Sequence, residues 1–151
     1  MIVLSDASSI IALHKIGRLT LLRLVYTNVA ITDQVEREVG IELPNWITVV
    51  ETYSSERYRH FLKALDPGEA SSIAYCLENE VEWLIIDERK GRKVAREHRI
   101  QIVGLLGVIA TAAKSGLIDD GVGLLDELRS TDFRISERIY QVIRARIESY
   151  R

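Results

Sequence analysis

The chain has 151 residues, 47% apolar and 28% charged, a length that supports one domain with a real core and a composition ordinary for a globular protein. A formal net charge of −2 excludes wholesale electrostatic adhesion to nucleic acid, so any such binding must come from a local patch. The single cysteine, Cys76, excludes an internal disulfide, and no apolar run approaches the ~20 residues of a membrane span. Met1 to Ser9 lacks the charged region and longer apolar core of a signal peptide, so the expectation is a cytoplasmic protein with no membrane association.

Ile2 to Ser5 reads as a first strand and ends on Asp6. Ser8 to Lys15 and Arg18 to Tyr26 read as helices broken at Gly17, and Asn28 to Ile31 as a second strand. Thr32 or Asp33 caps a helix that runs to about Val39 and stops at Gly40. Pro44 precedes a third strand, Trp46 to Val50, and Ser54 to Leu65 is a fairly polar helix. Asp66-Pro67-Gly68-Glu69 opens the next helix, reaching about Asn79. Asp66 and Glu69 have capping-box spacing, and Pro67 suits the first helical position.

Trp83 to Ile86 is a continuous apolar run, the pattern of a strand buried on both faces, and it ends on Asp87. The helix that follows breaks two local rules. Arg89, Lys90, Arg92 and Lys93 crowd its first turns, where the macrodipole disfavours cations, and Gly91 sits inside it at a cost of roughly 1 kcal/mol. Ile100 to Val103 is a fifth strand. Gly104-x-x-Gly107 then starts a helix that ends near Gly116. As a phosphate loop this glycine pair is weak, and a close approach of helix to sheet is its better reading. Two helices, Asp120 to Ser130 and Ser136 to Tyr150, close the chain, and the second carries Ile139, Ile143 and Ile147 on one stripe beside Tyr140 and Tyr150. Strands separated by helices imply an α/β fold with a parallel sheet covered on both faces. One domain spans residues 1–151, with its closing helices at about 119–150.

Four carboxylates are candidates for a shared site: Asp6, Glu38, Glu69 and Asp87. Asp6 and Asp87 lead, because each terminates an apolar strand, where open α/β sheets bind their ligands. Each acid has a plain structural alternative. Asp6 is also placed to cap the helix at Ala7, and Glu69 to complete its capping box. Position alone does not choose among Glu36, Glu38 and Glu42. His14, His60 and His98 have no ligand spacing and there is no cysteine cluster, so zinc is not expected. Carboxylates alone are the ligand preference of Mg²⁺ or Mn²⁺.

Leu4-Ser5-Asp6-Ala7-Ser8 with Ile11-Ala12-Leu13, Val35-x-x-Glu38-Val39, Leu65-Asp66-Pro67-Gly68-Glu69-Ala70, Leu84-Ile85-Ile86-Asp87-Glu88-Arg89-Lys90-Gly91 and Gly104-Leu105-Leu106-Gly107-Val108 follow one another in order. As a set they resemble the PIN-domain family, and within it a toxin-like nuclease branch. The resemblance implies a five-stranded parallel sheet in the order 3-2-1-4-5, with Asp6 and Asp87 on adjacent central strands. It implies a Mg²⁺- or Mn²⁺-dependent endoribonuclease, the toxin of a toxin–antitoxin pair, with RNA as substrate, an antitoxin protein as partner and a homodimeric state. Asp6, Glu38, Glu69 and Asp87 would be catalytic, and Asp6, Glu69 and Asp87 would hold the metal. Ser8 matches a small hydroxyl residue near the metal, and Arg89, Lys90, Arg92 and Lys93 would grip substrate phosphates. Many PIN nucleases carry a further Asp or polar residue a few positions after the last strand-end acid; here Glu88 follows Asp87 at once, and then Arg89 and Lys90. The rival expectation is a catalytically inactive PIN-like module that binds RNA or protein.

Overall fold

A computed structural model describes residues 1–150. The apolar runs become strands β1 (Ile2–Ser5), β2 (Val29–Thr32), β3 (Ile47–Val50), β4 (Val81–Ile85) and β5 (Ile102–Val103). They form one five-stranded sheet in the order β3-β2-β1-β4-β5, every neighbouring pair parallel. Between and after them run α1 (Ala7–Lys15), α2 (Leu21–Val25), α3 (Asp33–Val39), α4 (Ser55–Phe61), α5 (Pro67–Glu78), α6 (Arg89–Glu97), α7 (Leu105–Lys114), α8 (Gly121–Arg129) and α9 (Glu137–Glu148).

Period-two alternation along the central strands splits the core into two layers. Val3, Val29, Ile31 and Ile85 face the side covered by α1, α2, α3, α7, α8 and α9. Leu4, Ala30, Leu84 and Ile86 face α4, α5 and α6. Leu84, Ile85 and Ile86 are fully buried, as an uninterrupted apolar run requires of a strand covered on both faces. Ser5 pairs with Ile85 in register, so the residues just past β1 and β4 leave the sheet side by side.

Among the elements whose bounds differ from the sequence reading, three have a clear local reason. Arg18 to Thr20 form a turn, with Leu21 N donating to Arg18 O at 3.0 Å, so α2 starts late. The polar helix at Ser54 ends at Phe61, and a turn carries the chain to Leu65. The fifth strand is two residues long because the end of α6 still occupies Ile100, whose N–H bonds to Ala95 O at 3.0 Å while Arg99 takes φ 59°. The apolar stripe of the last helix is divided. Ile143, Ile147 and Tyr140 are buried within the subunit, whereas Ile139 is 45% exposed.

Close approach explains two glycines that look costly in sequence. A Cβ on Gly107 would stand 2.9 Å from Val103 Cγ2, so α7 lies tightly on β5. A Cβ on Gly91 would stand 2.6 Å from Ile86 Cδ1 and 2.8 Å from Glu69 Oε2, so α6 is wedged against β4 and α5. Gly91→Ala should gain about 1 kcal/mol of helix propensity and lose about 1–3 kcal/mol to overpacking. A lower urea midpoint is therefore expected; a higher one would show that α6 moves off its neighbours freely.

Candidate active site

Because the strands are parallel, the acids that end them meet along one edge. Asp6 follows β1 and caps α1, its Oδ1 accepting from Ser9 N at 3.0 Å. Its Oδ2 accepts from Ser8 Oγ at 3.1 Å and from Asp87 N at 3.0 Å. The two readings of Asp6, cap and site acid, are therefore one arrangement. Asp87 lies two residues past β4 and accepts from Ser9 Oγ at 2.9 Å and from Leu105 N at 3.2 Å. Leu105 opens α7, whose own N-cap, Gly104, has no side chain to offer. Asp87 thus caps a helix eighteen residues downstream, and a Cβ at Gly104 would intrude to 3.0 Å from its Oδ1.

Glu38 and Glu69 are placed by the start of α5. Asp66 and Glu69 form the expected capping box, with Glu69 N donating to Asp66 Oδ1 at 2.8 Å. Glu38 reaches over from α3 and accepts from Gly68 N at 2.8 Å. A Cβ at Gly68 would stand 2.7 Å from Glu38 Oε1. Of Glu36, Glu38 and Glu42, Glu38 alone lines the cleft formed here.

That cleft has a volume of about 540 Å³. Its lining includes seven acids, Asp6, Glu38, Asp66, Glu69, Asp87, Glu88 and Asp132, and one base, Arg134. Burial and mutual repulsion act on the acids together. Burial first and the Asp87 charge second raise Asp6 from 3.8 to about 7, against the hydrogen bonds of Ser9 and Asp87 N. Burial first and Asp66 second raise Glu69 from 4.5 to about 7. Asp87 is raised by burial, offset in part by Ser9, Leu105 N and Arg92. Glu38 is raised by burial and then by Asp66.

The donor chemistry fits a hard divalent cation: every candidate ligand is a carboxylate oxygen, and Glu69 Oε2 is buried with no hydrogen-bond partner. Among the described residues, however, no three His, Cys, Asp or Glu side chains gather closely enough to hold an ion by themselves. Asp6 and Asp87 form a pair, bridged by Ser9. Glu38 and Glu69 line the same cleft from α3 and α5 without joining that pair. The expected triad of Asp6, Glu69 and Asp87 is therefore not assembled, because Glu69 is held by its capping box and wedged against Gly91.

The basic helix also divides. Arg89, Lys90 and Lys93 are exposed, and among the described residues none of them has a carboxylate within 4.0 Å. Arg92, grouped with them in sequence, turns inward. Its Nη1 donates to Ile86 O at 2.7 Å, and its charge lowers the pKa of Asp87. It satisfies the last carbonyl of the β4 run and counters a buried acid, which leaves it poorly placed to grip phosphate. Ser9 is a site residue that the sequence reading misses, although its spacing from Asp6 matches a cap acceptor and its donor. Asp132, Phe133 and Arg134 carry no such signal, since only the fold brings the α8–α9 loop to this edge.

The fold and cleft define an α/β protein with paired acids past the carboxyl ends of adjacent central strands. Residues 2–149 match the family described as DUF3368, a PIN domain, and the chain belongs to the PIN-domain family. PIN domains are generally nucleases, which places the chain among nuclease-like folds and, at that level, among hydrolases. No curated protein and no solved structure matches the chain.

The raised acids tie stability to pH. Folded Asp6 and Glu69 keep their protons up to about pH 7, whereas the unfolded chain releases them near 3.8 and 4.5. Their contribution is complete below about pH 4. It is lost as pH rises through 7, at up to about 1.4 kcal/mol per pH unit for each group. In EDTA, the melting temperature should therefore fall across this window. Asp87→Asn keeps acceptors and donors for Leu105 N and Ser9 Oγ while removing the charge beside Asp6. It should melt higher than wild type at neutral pH, with a flatter pH profile. A mutant that melts lower, or an unchanged profile, would show that the two acids do not repel.

Proposed function

We propose that the protein is a metal-dependent endoribonuclease hydrolysing RNA phosphodiester bonds, of the toxin-like branch in which the nuclease is paired with an antitoxin. The observation that carries this reading is the buried Asp6–Asp87 pair. Two mutually repelling carboxylates sit with raised pKa at the carboxyl edge of the central strands, in an acid-lined cleft. Such a pair is destabilising unless a cation or proton offsets it.

Mg²⁺ or Mn²⁺ would be held by Asp6 and Asp87, with the unpartnered Glu69 Oε2 as a third oxygen, and would supply a Lewis acid that acidifies water and offsets phosphate charge. The chain's own residues do the rest. Ser8 and Ser9 fix the orientations of Asp6 and Asp87 by the hydrogen bonds at 3.1 and 2.9 Å. Arg92 offsets part of the charge on Asp87. Glu38, its pKa raised by burial and by Asp66, would complete the shell or orient the attacking water. Arg89, Lys90 and Lys93, free of carboxylate partners, would bind flanking phosphates.

A catalytically inactive binding module is the second reading, favoured by the lack of a ready-made three-acid cluster among the described residues. Cleavage of single-stranded RNA by highly purified protein in Mn²⁺ distinguishes the two. EDTA should abolish cleavage, and Asp87→Asn should lower it by orders of magnitude while leaving the protein folded. Equal cleavage by wild type and mutant would expose a contaminating nuclease and leave the binding module standing.

The basic helix has its own test. Replacing Lys90 and Lys93 by Gln should weaken RNA binding and flatten its salt dependence, by about 0.7 in log–log slope for each phosphate no longer bound. An unchanged slope would make α6 an ordinary solvated surface.

A further inference from the structure

An acid-lined cleft that takes a polyanion needs cations nearby, and α6 offers three exposed ones outside the lining. The cleft wall itself contains a different one. Among its lining residues Arg134 is the single base, set against seven acids. An arginine in such company ordinarily pairs with a carboxylate. Among the described residues Arg134 pairs with none: no acid oxygen lies within 4.0 Å, and its guanidinium makes no hydrogen bond.

The backbone beneath it is tightly specified. Thr131 Oγ1 donates to Leu128 O at 2.7 Å and accepts from Phe133 N at 3.1 Å, which turns the chain at the end of α8. Phe133 packs onto the core, and Ser136 caps α9 by accepting from Ile139 N at 3.2 Å. Lys15 at the end of α1 pairs with Asp132 at 2.8 Å and ties the loop to the element that carries Ser8 and is capped by Asp6. The loop is thus held at both helix ends and at its middle, while the guanidinium it presents has all its donors free. Arg92 shows the contrast, since its guanidinium is committed to Ile86 O.

We infer that Arg134 is a substrate-binding residue that grips a backbone phosphate of single-stranded RNA next to the bond being cleaved. The inference rests on the nuclease reading above. A planar guanidinium fork matches two phosphate oxygens at once, and among the described residues no carboxylate lies within 4.0 Å to occupy it. The packed Phe133 and the turn at Thr131 keep Arg134 in the lining of the cleft that holds Asp6.

Two variants test this, Arg134→Gln and Arg134→Lys, with binding of a labelled single-stranded RNA followed by anisotropy in EDTA and cleavage followed in Mn²⁺. Arg134→Gln should raise Kd and KM by roughly tenfold, the worth of one charge-assisted contact. It should flatten the log–log salt slope by about 0.7 and change kcat far less. Arg134→Lys should restore the slope while recovering only part of the affinity, because it keeps charge and loses the fork. Both variants should melt with wild type, since Arg134 is exposed. Wild-type values of Kd, KM and slope in Arg134→Gln would overturn the inference and leave the nuclease reading intact. A loss confined to kcat would also overturn it. Wild-type protein that neither binds nor cleaves RNA would remove both.

Discussion

The structure depends on a competition between helix N-termini and like-charge repulsion. Apart from Glu88 and Asp132 on the rim, every acid of the cleft accepts a backbone N–H at or beside the start of a helix. Asp6 serves α1, Asp87 serves α7, and Glu38 with Asp66 and Glu69 serves α5. Each N–H in a first helical turn would be left without a partner by a helix that starts at a sheet edge. Each carboxylate gains from the positive end of a macrodipole. Several negative groups can therefore be brought into one cleft and partly buried, because the donors that hold them are structural necessities. Repulsion and burial still exceed this gain, which is why Asp6 and Glu69 stay raised to about 7.

Three glycines make room for that arrangement, and all three stand against a site carboxylate. Their missing Cβ atoms would lie 2.7 Å from Glu38 Oε1 at Gly68, 2.8 Å from Glu69 Oε2 at Gly91, and 3.0 Å from Asp87 Oδ1 at Gly104. None of the three is needed for a left-handed backbone, unlike Gly40 with φ 62° at the end of α3. Their role is steric. A glycine inside a basic helix looks like a local error in sequence, and the error disappears once the neighbour across the gap is known.

This difference marks how much of the molecule is legible in its sequence. Both strand-end acids follow from apolar runs ending on Asp6 and Asp87, because burial writes itself into consecutive residues, whereas the strand order is an expectation that only the resemblance carries. The α5 capping box is readable from Asp66 and Glu69 for the same reason: both partners lie within one turn. Contacts made across the fold leave no such trace. Asp87 capping α7, Glu38 reaching Gly68 and Arg92 folding back on Ile86 each join residues whose spacing is unremarkable. The isoleucine stripe of α9 is a local signal too: its periodicity marks a core face, and Ile143 and Ile147 pack into the subunit's own core.

The raised acids also determine how the cleft can change state. Near neutral pH Asp6 and Glu69 are close to half-protonated, so the metal-free cleft carries less charge than its acid count implies. A cation bound there competes with those protons, and its binding must release them. The carboxylate oxygens accept from the capping N–H groups of Ser9, Gly68, Glu69 and Leu105. Glu69 differs in that its Oε2 is buried with no hydrogen-bond partner, while Oε1 stays in the capping box and Gly91 stands close by. On the proposed metal reading Oε2 would be the third oxygen beside the Asp6–Asp87 pair, and the missing Cβ of Gly91 is what leaves room for the Glu69 side chain between α5 and α6.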